Sequence, residues 1–237
     1  MRVFFQSILL FFLIAGCLSC RRPQNEDFVT FVVNTEAANI EFYWKNENGE
    51  LIRSLENMKY LAEKKGKTLR FAMNGGMYQK DNTPLGLFIQ HGKVVAPLNL
   101  KQNSEGNFYL QPNGVFYITE DKQAFLSTTQ NFREQTNIKF ATQSGPMLLI
   151  EGEINPNFKQ GSGNLNIRNG VCVLDKDRVV FSMSRREVNF YDFAKHFKDL
   201  GCRNALFLDG FVSRMYLPEQ KIEQLDGDFG VIIGIMH

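Results

Sequence analysis

The chain has 237 residues, of which 43% are hydrophobic and 22% are charged, and its formal net charge at pH 7 is +2. This balance is typical of a globular protein with a sizeable core, and it excludes a disordered chain, a collagen and a coiled coil. A near-neutral charge gives no reason to expect nucleic acid or an anionic membrane surface as a partner. The three histidines do not lie at metal-ligand spacing, so no metal or other cofactor is predicted.

The first seventeen residues predict a signal peptide of the lipoprotein type. Arg2 precedes an apolar run over residues 3–14, which is too short for a membrane span but suits the core of a secretory signal. Two small residues come directly before Cys17, which we expect to be lipidated after cleavage. A plain signal peptide that happens to contain cysteines is the alternative. Residues 18–27 form a polar tether, so we expect an exported protein of the bacterial cell envelope, periplasmic or surface-facing, that contacts the membrane only through its lipid.

The N-terminal third of the mature chain contains predicted strands and one predicted helix. Short apolar runs predict strands at residues 28–33, 40–44 and 69–73. A helix is predicted over residues 54–66, where apolar side chains recur at helical spacing between a serine cap and a terminal glycine. The strand at 69–73 runs into Asn74-Gly75-Gly76, which is typical of a turn.

The middle of the chain is divided into short apolar runs bounded by Gly, Asn, Pro and charged residues. This pattern predicts a series of strands at residues 87–89, 93–95, 108–110, 114–118 and 147–150. Glycine-containing segments at 91–93 and 151–153 predict hairpin turns.

The C-terminal part alternates between strands and the clearest helix. Residues 171–174 and 179–183 predict a hairpin. A helix over 190–200 is predicted to begin after an Asn189 cap, and we expect its His196 to lie at the surface. A buried strand at 204–208 and a last strand at 230–235 follow. We therefore expect one α+β domain over residues 28–237, with a mixed, largely antiparallel sheet and two to three flanking helices.

Two cysteines, Cys172 and Cys202, lie in this domain. An oxidising compartment permits a disulfide between them, because the long enclosed loop would make the bond stabilising. Both residues also lie within apolar segments, where a buried free thiol is equally natural. The sequence leaves the two states open.

Two groups of small and polar residues interrupt apolar runs that are otherwise typical of a buried core. Asn74, Gly75 and Gly76 follow a strand, and paired glycines let backbone N–H groups approach an anion, although a tight turn explains them as well. The second group is Gln143-Ser144-Gly145 before a strand, which suits recognition of hydroxyl groups or forms a simple loop.

The strongest candidate site combines residues at the ends of two other strands. Asp209 lies where a buried strand emerges, and a rigid, partly desolvated carboxylate can act as acid, base or nucleophile. The alternative is a turn residue that caps Gly210. Arg168 offers a planar set of donors to phosphate oxygens, and Asn169 and Ser213 lie close by in sequence.

Taken in order, these motifs resemble those of the phosphodiester glycosidase family. The domain of this family also forms the mammalian uncovering enzyme, which acts on N-acetylglucosamine-1-phosphodiesters. The resemblance extends from about Phe28 to the C-terminus. The matching strings are Asn74-Gly75-Gly76-Met77-Tyr78, Gln143-Ser144-Gly145-Pro146-Met147, Arg168-Asn169-Gly170-Val171, Val188-Asn189-Phe190-Tyr191-Asp192-Phe193-Ala194, and Asn204-Ala205-Leu206-Phe207-Leu208-Asp209-Gly210 with Ser213.

The resemblance implies hydrolysis of a sugar 1-phosphodiester of the N-acetylglucosamine-1-phosphate type at the anomeric carbon. Asp209 would be the catalytic carboxylate and Glu187 the second one. Arg168, Gly75 and Gly76 would stabilise the phosphate charge. The sugar and the phosphate would be bound by a further set of residues, namely Asn74, Gln143, Ser144, Gly145, Asn169, Gly210 and Ser213.

One departure concerns the substrate. The uncovering-enzyme branch has a glycine-rich stretch after the equivalent of Asp209-Gly210, where this chain has Phe211-Val212. Bulkier residues there would narrow the site. Two other hypotheses for the function remain. One is a non-catalytic surface module that binds glycans, and the other is a metal-dependent phosphoesterase, which the scarcity of histidine disfavours.

Overall fold

The computed structural model describes residues 26–102, 104–209 and 212–237. Their secondary structure consists of the following elements, in chain order: β1 (Phe28–Asn34), β2 (Ile40–Tyr43), α1 (Leu55–Lys64), β3 (Leu69–Gly76), β4 (Phe88–Gln90), β5 (Lys93–Ala96), a 3₁₀ turn (Asn107–Tyr109), β6 (Gly114–Thr119), β7 (Ala124–Thr128), β8 (Ile138–Ser144), β9 (Met147–Ile150), β10 (Glu153–Ile154), β11 (Asn169–Asp175), β12 (Arg178–Ser184), α2 (Phe190–Asp199), β13 (Ala205–Asp209), β14 (Met215–Leu217), a 3₁₀ turn (Pro218–Gln220), β15 (Ile222–Glu223) and β16 (Val231–Met236). No helix of the described ranges is long and apolar enough to cross a membrane. The predicted leader, the lipidation site Cys17 and most of the tether lie outside these ranges.

The strands form three sheets. Their orders are β1-β12-β11-β13-β9-β10, β15-β14-β3-β16-β2 and β5-β4-β8-β6-β7. Every strand pair within the described residues is antiparallel. The predicted α+β class with largely antiparallel pairing and two helices is therefore confirmed, with the strands divided among three sheets.

All three sheets contribute to one aromatic core. Six fully or almost fully buried phenylalanines from six different strands meet there, namely Phe31, Phe42, Phe71, Phe116, Phe140 and Phe181. Phe71 and Phe181 join two of the sheets with ring centroids 5.0 Å apart, and Phe42 and Phe140 lie 5.6 Å apart. Burial of these large side chains is the main source of stability, because each removes a large apolar area from water.

The two helices cover the outer faces of two sheets. Ser54 caps α1 by accepting a hydrogen bond from the Asn57 N–H at 3.1 Å, and Asn189 caps α2 by accepting one from the Asp192 N–H at 2.9 Å. Both caps agree with the sequence prediction. The apolar face of α2 packs on β9, β11, β12 and β13 through Phe193 and Phe197. These strands and α2 hold Asp209 on a rigid support.

His196 of α2 is buried, so its predicted surface position is wrong. Its ring stacks on Phe28 with centroids 3.9 Å apart, and its Nε2 lies 2.9 Å from Ser182 Oγ. Ser182 donates its own proton to the Val29 carbonyl, so the histidine ring donates the bond between them. The periodicity of α2 could not show that β1 covers this side of the helix.

Cys172 and Cys202 form a disulfide with a sequence separation of 30 residues. The bond joins β11 to the segment after α2. By the loop-entropy argument, a loop of this length is worth about 3–4 kcal/mol of stability. The question that the sequence left open is thus answered in favour of the disulfide.

Local predictions differ from the structure at several places, and β7, β14 and β15 were not predicted. Residues 108–110, predicted as a strand, belong mostly to the 3₁₀ turn at Asn107–Tyr109. The strand predicted to end at Met73 continues to Gly76. β8 was not predicted, because the buried polar residues at its end, such as Thr142 and Gln143, conceal its apolar pattern.

Candidate active site

Asp209 is the last residue of β13, and its side chain lines a cavity of about 240 Å³. Asp209 is only 9% exposed to solvent. Met77 and Tyr78 from the segment after β3 line the same cavity, together with Tyr109 and Val212. Two of the motifs recognised in the sequence therefore meet here, the one that ends at Tyr78 and the one that contains Asp209.

A buried network of amides holds the main chain of Asp209. The Asp209 N–H donates to Asn169 Oδ1 at 2.9 Å, and Asn169 Nδ2 donates to Asn74 Oδ1 at 2.8 Å and to the Asn74 carbonyl at 2.9 Å. Ser213 Oγ donates to the Asp209 carbonyl at 2.6 Å. The structure thus brings together Asn74, Asn169, Asp209 and Ser213, which the sequence grouped. Their contacts link β3 to β11 and β13 directly beneath the cavity.

The side-chain donor of Asn74, Nδ2, is unsatisfied in this network. It is buried and has no hydrogen-bond partner among the described residues, whereas Asn74 Oδ1 accepts from both Asn169 Nδ2 and the Arg214 N–H. A buried amide donor without a partner carries a cost of about 1–3 kcal/mol. Such groups are concentrated at functional sites, which agrees with the position of Asn74 next to Asp209.

Gly75 and Gly76 belong to β3 and form no turn. A Cβ at Gly75 would lie 2.4 Å from Ile233 Cγ1, and one at Gly76 would lie 2.5 Å from Thr142 Oγ1. The glycines therefore allow β16 and β8 to approach closely. The register with β16 breaks here, since Gly76 pairs with Val231 and Asn74 pairs with Ile232, so Gly75 lies at a β-bulge. The anion nest at these glycines stays a prediction.

Gln143, Ser144 and Gly145 lie at the end of β8 and serve the framework. Gln143 Oε1 accepts from the Leu87 and Asn99 N–H groups, and Nε2 donates to the Asn99 carbonyl and to Thr129 Oγ1, so this amide has no donor left for a sugar. Ser144 Oγ donates to the Leu208 carbonyl at 2.7 Å. Gly145 leaves no space for a Cβ beside Asn113. None of the three lines the Asp209 cavity.

Arg168 is completely buried, although the sequence places it as a phosphate ligand. Its guanidinium lies 3.7 Å from the ring centroid of Phe190, and Nε donates to the Val188 carbonyl at 2.8 Å. Nη1 has no hydrogen-bond partner within the described part of the chain. Burial lowers the pKa of Arg168 to about 10, so the side chain stays charged at neutral pH. Arg168 does not line the cavity.

Glu187 is exposed on the loop between β12 and α2 and does not line the cavity, so its predicted place as second carboxylate is not supported by the geometry. Glu105, which is exposed as well, lines the cavity instead. The sequence contained no signal for Glu105, because it lies in a polar loop without a motif. Only the fold brings this loop to Asp209.

Tyr78 was part of a recognised string but had no assigned role. Burial raises the pKa of Tyr78 to about 12, and the negative charges of Asp209 and Asp228 add to the rise. Its hydroxyl therefore stays protonated at neutral pH and can donate a hydrogen bond into the cavity.

The segment after β13 is described only in part. Gly210 and Phe211 lie outside the described residues, so the predicted role of Gly210 is not addressed. Val212 lines the cavity. The narrowing of the site by bulkier residues stays a prediction. No group of three or more His, Cys, Asp or Glu residues that could bind a metal ion occurs in the described ranges.

A family model described as "Phosphodiester glycosidase" matches residues 67–229, a range that includes the cavity and the amide network. The chain belongs to the phosphodiester glycosidase family. The Escherichia coli K12 protein YigE, which is uncharacterized, is 38% identical over 188 residues, covering 79% of this chain and 73% of YigE.

Two solved structures share the fold of this phosphodiester glycosidase-family chain. One is the zebrafish N-acetylglucosamine-1-phosphodiester alpha-N-acetylglucosaminidase catalytic domain, auto-inhibited by its pro-peptide. It has a TM-score of 0.61 and 16% identity, and the match covers 90% of this chain and 84% of that domain. The other is a hypothetical protein from Synechocystis, with a TM-score of 0.52 and 14% identity, over 88% of this chain and 59% of that one.

Proposed function

We propose that the protein is a hydrolase that cleaves the anomeric C–O bond of a sugar 1-phosphodiester and releases the sugar and a phosphomonoester. The observation that carries the proposal is the cavity at the end of β13, where Asp209 and Glu105 line one space together with the Tyr78 segment. A substrate of the N-acetylglucosamine-1-phosphate type is the first choice, because the zebrafish neighbour is named for that activity.

The chemistry of the reaction suits these residues. A phosphomonoester is a stable anion and leaves without strong acid catalysis, so the developing positive charge on the sugar is the main demand. Asp209 supplies a carboxylate next to the anomeric carbon, as nucleophile or as base for water. Glu105 then serves as the second carboxylate, which activates water or protonates the departing oxygen. Tyr78 donates a hydrogen bond to the sugar or the phosphate.

Cations near the cavity would stabilise the negative charge of the phosphate. Lys101 Nζ lies 5.9 Å from the centroid of the ring of Tyr109, a residue that lines the cavity. Arg168, which precedes Asn169 in the chain, adds a buried positive charge. We assign phosphate contact to Lys101 and long-range charge stabilisation to Arg168.

The test uses the full-length chain with a GlcNAc-1-phospho-methylmannoside, with and without chelator, and mass spectrometry of the products. Free N-acetylglucosamine and mannoside phosphate are expected, at the same rate in chelator. Asp209→Asn should abolish turnover, since it removes the carboxylate and keeps the shape. Asp177→Asn in the β11–β12 turn is the matched control and should keep full activity. Binding of the substrate without turnover by the unchanged protein would instead favour a glycan-binding module.

We also propose that the protein is exported and held at the cell envelope by a lipid on Cys17. The disulfide between Cys172 and Cys202 supports an oxidising compartment. Metabolic labelling with a fatty acid should mark the unchanged chain and not Cys17→Ser. Equal labelling of both chains would exclude Cys17 as the lipidation site.

A further inference from the structure

A second cavity, of about 260 Å³, lies at the far end of the sheets from Asp209. β8 runs from the second cavity towards the strand that carries Asp209. Ser144 at its end donates to the carbonyl of Leu208, next to Asp209, whereas Lys139 near its start lines the second cavity. Lys139 and Ser144 are five positions apart along an extended strand, a distance of about 17 Å. The two cavities are therefore separate sites.

The second cavity contains two lysines and one carboxylate. Lys122, Lys139 and Glu41 line it, so its lining has a net positive charge. Lys139 Nζ lies 3.4 Å from Glu120 Oε2 in an exposed pair, which is weak at best. Lys122 makes no ion pair with any described carboxylate. Both ammonium groups are thus available to an anion.

Thr35 provides an independent sign of a ligand. It lines the cavity and is 2% exposed, and its Oγ1 is buried with no hydrogen-bond partner among the described residues. The backbone N–H of Thr35 does have a partner, since it donates to the Asp177 carbonyl at 2.7 Å. A buried hydroxyl without a partner is unfavourable. Because Oγ1 is shielded from solvent, the side chain must turn about its Cα–Cβ bond to meet a polar ligand in the cavity, and that contact would satisfy the hydroxyl.

The rest of the lining suits a sugar ring. Ile40, Ile118 and Phe140 provide an apolar wall, and Asn39 adds an amide. Glu41 Oε2 accepts a hydrogen bond from the Tyr43 hydroxyl at 2.8 Å, which orients the carboxylate and leaves Oε1 for a ligand hydroxyl. A cavity of this volume holds about one monosaccharide, since drug-sized ligands need roughly 300 Å³ or more.

We propose that this cavity binds a single sugar unit that carries an anionic group, either a phosphate or a carboxylate. Lys122 and Lys139 bind the anion by charge-assisted hydrogen bonds. Thr35 and Glu41 bind hydroxyl groups of the ring. The site would let the protein hold a charged glycan at a point remote from Asp209.

The test is methyl NMR on the full-length chain, with labelled Ile and Met methyl groups. Ile40 and Ile118 report on this cavity and Met77 on the Asp209 cavity. The probes are glucose 6-phosphate, glucuronate, glucose and inorganic phosphate, each up to about 10 mM, a range that detects millimolar dissociation constants. Glucose 6-phosphate and glucuronate distinguish the two anionic groups.

We expect at least one anionic sugar to shift the Ile40 and Ile118 signals in a saturable way. The double variant Lys122→Gln/Lys139→Gln should weaken this binding about tenfold or more, because it removes both positive charges that bind the anion. Thr35→Val, which keeps the shape and removes the hydroxyl, should weaken it about threefold to tenfold. Lys159→Gln, on an exposed loop elsewhere, should leave it unchanged.

Three outcomes would overturn the proposal. The first is the absence of shifts at Ile40 and Ile118 with either anionic sugar. The second is equal binding by the unchanged protein and the double lysine variant. The third is that glucose or inorganic phosphate alone binds as tightly as the anionic sugar, because the site would then not require both groups.

Discussion

Asp209 is positioned through its main chain from two sides. Its N–H donates to Asn169 Oδ1, and its carbonyl accepts from Ser213 Oγ. Asn169 is in turn fixed by Asn74 of another sheet. The carboxylate therefore projects into the cavity from a backbone that cannot move without breaking buried hydrogen bonds. Such preorganisation is what a catalytic carboxylate requires.

Glu105 and Glu187 make a matched pair for the second carboxylate. Glu105→Gln should lower kcat/KM about 100-fold, because general acid–base catalysis by a positioned carboxyl group contributes at least this much. Glu187→Gln should have no effect, since both glutamates are exposed but Glu187 does not line the cavity. Steady-state kinetics of both variants, with circular dichroism to confirm folding, checks the assignment. A loss in Glu187→Gln with normal Glu105→Gln would restore the prediction made from sequence.

His196 makes stability depend on pH. Burial lowers the pKa of His196 to about 4, from an ordinary value of 6.5 in the unfolded chain, so the folded state favours the neutral ring. Its contribution is fully present above pH 6.5 and is lost as the pH falls from 6.5 towards 4. The loss is on the order of 3 kcal/mol. Denaturant unfolding across this range should show the decline.

The matched variants for this test are two histidine substitutions. His196→Gln keeps a hydrogen-bonding side chain that stays neutral, so it should flatten the decline in stability between pH 6.5 and pH 4. His91→Gln, at an exposed position, should leave the decline as it is. A steep decline that persists in His196→Gln would assign it to other groups.

At the scale of elements, the glycines of β3 are packing residues. Gly75→Ala should destabilise the protein by about 1–3 kcal/mol, because the new Cβ would lie 2.4 Å from Ile233 Cγ1 in the neighbouring strand. Gly163→Ala is the control, since nothing lies within 4 Å of a Cβ there. Chemical denaturation compares the two. A Gly75→Ala protein as stable as the Gly163→Ala protein would contradict the close approach of β16 to β3.

The elements show where sequence patterns suffice. α2 and β13 follow from helical spacing, an asparagine cap and a continuous apolar run, and both agree with the structure within one or two residues. β3 beyond Met73 did not follow, because Gly75 and Gly76 are typical of turns and only the neighbouring strands reveal why glycine is needed. Local patterns predict an element when its own residues determine it.

At the scale of the whole molecule, the candidate site was only partly predictable. Asn74, Asn169, Asp209 and Ser213 were recognised from motifs, and the pairing of two sheets and the segment after β13 bring them together. Glu105 has no motif, and the partners that bury Arg168 are distant in sequence or lie in other elements. Which residues face one cavity depends on long-range strand pairing, and a single sequence does not contain that information.

The most direct test of the central claim is to determine which bond of the phosphodiester breaks. Hydrolysis in water enriched in oxygen-18, followed by mass spectrometry of the phosphomonoester, distinguishes the two bonds on either side of the bridging oxygen. Attack at the anomeric carbon leaves that oxygen on the phosphate, so we expect an unlabelled phosphomonoester and no product from Asp209→Asn. A labelled phosphomonoester, or a release of sugar 1-phosphate, would mean that phosphorus is attacked and would contradict the account.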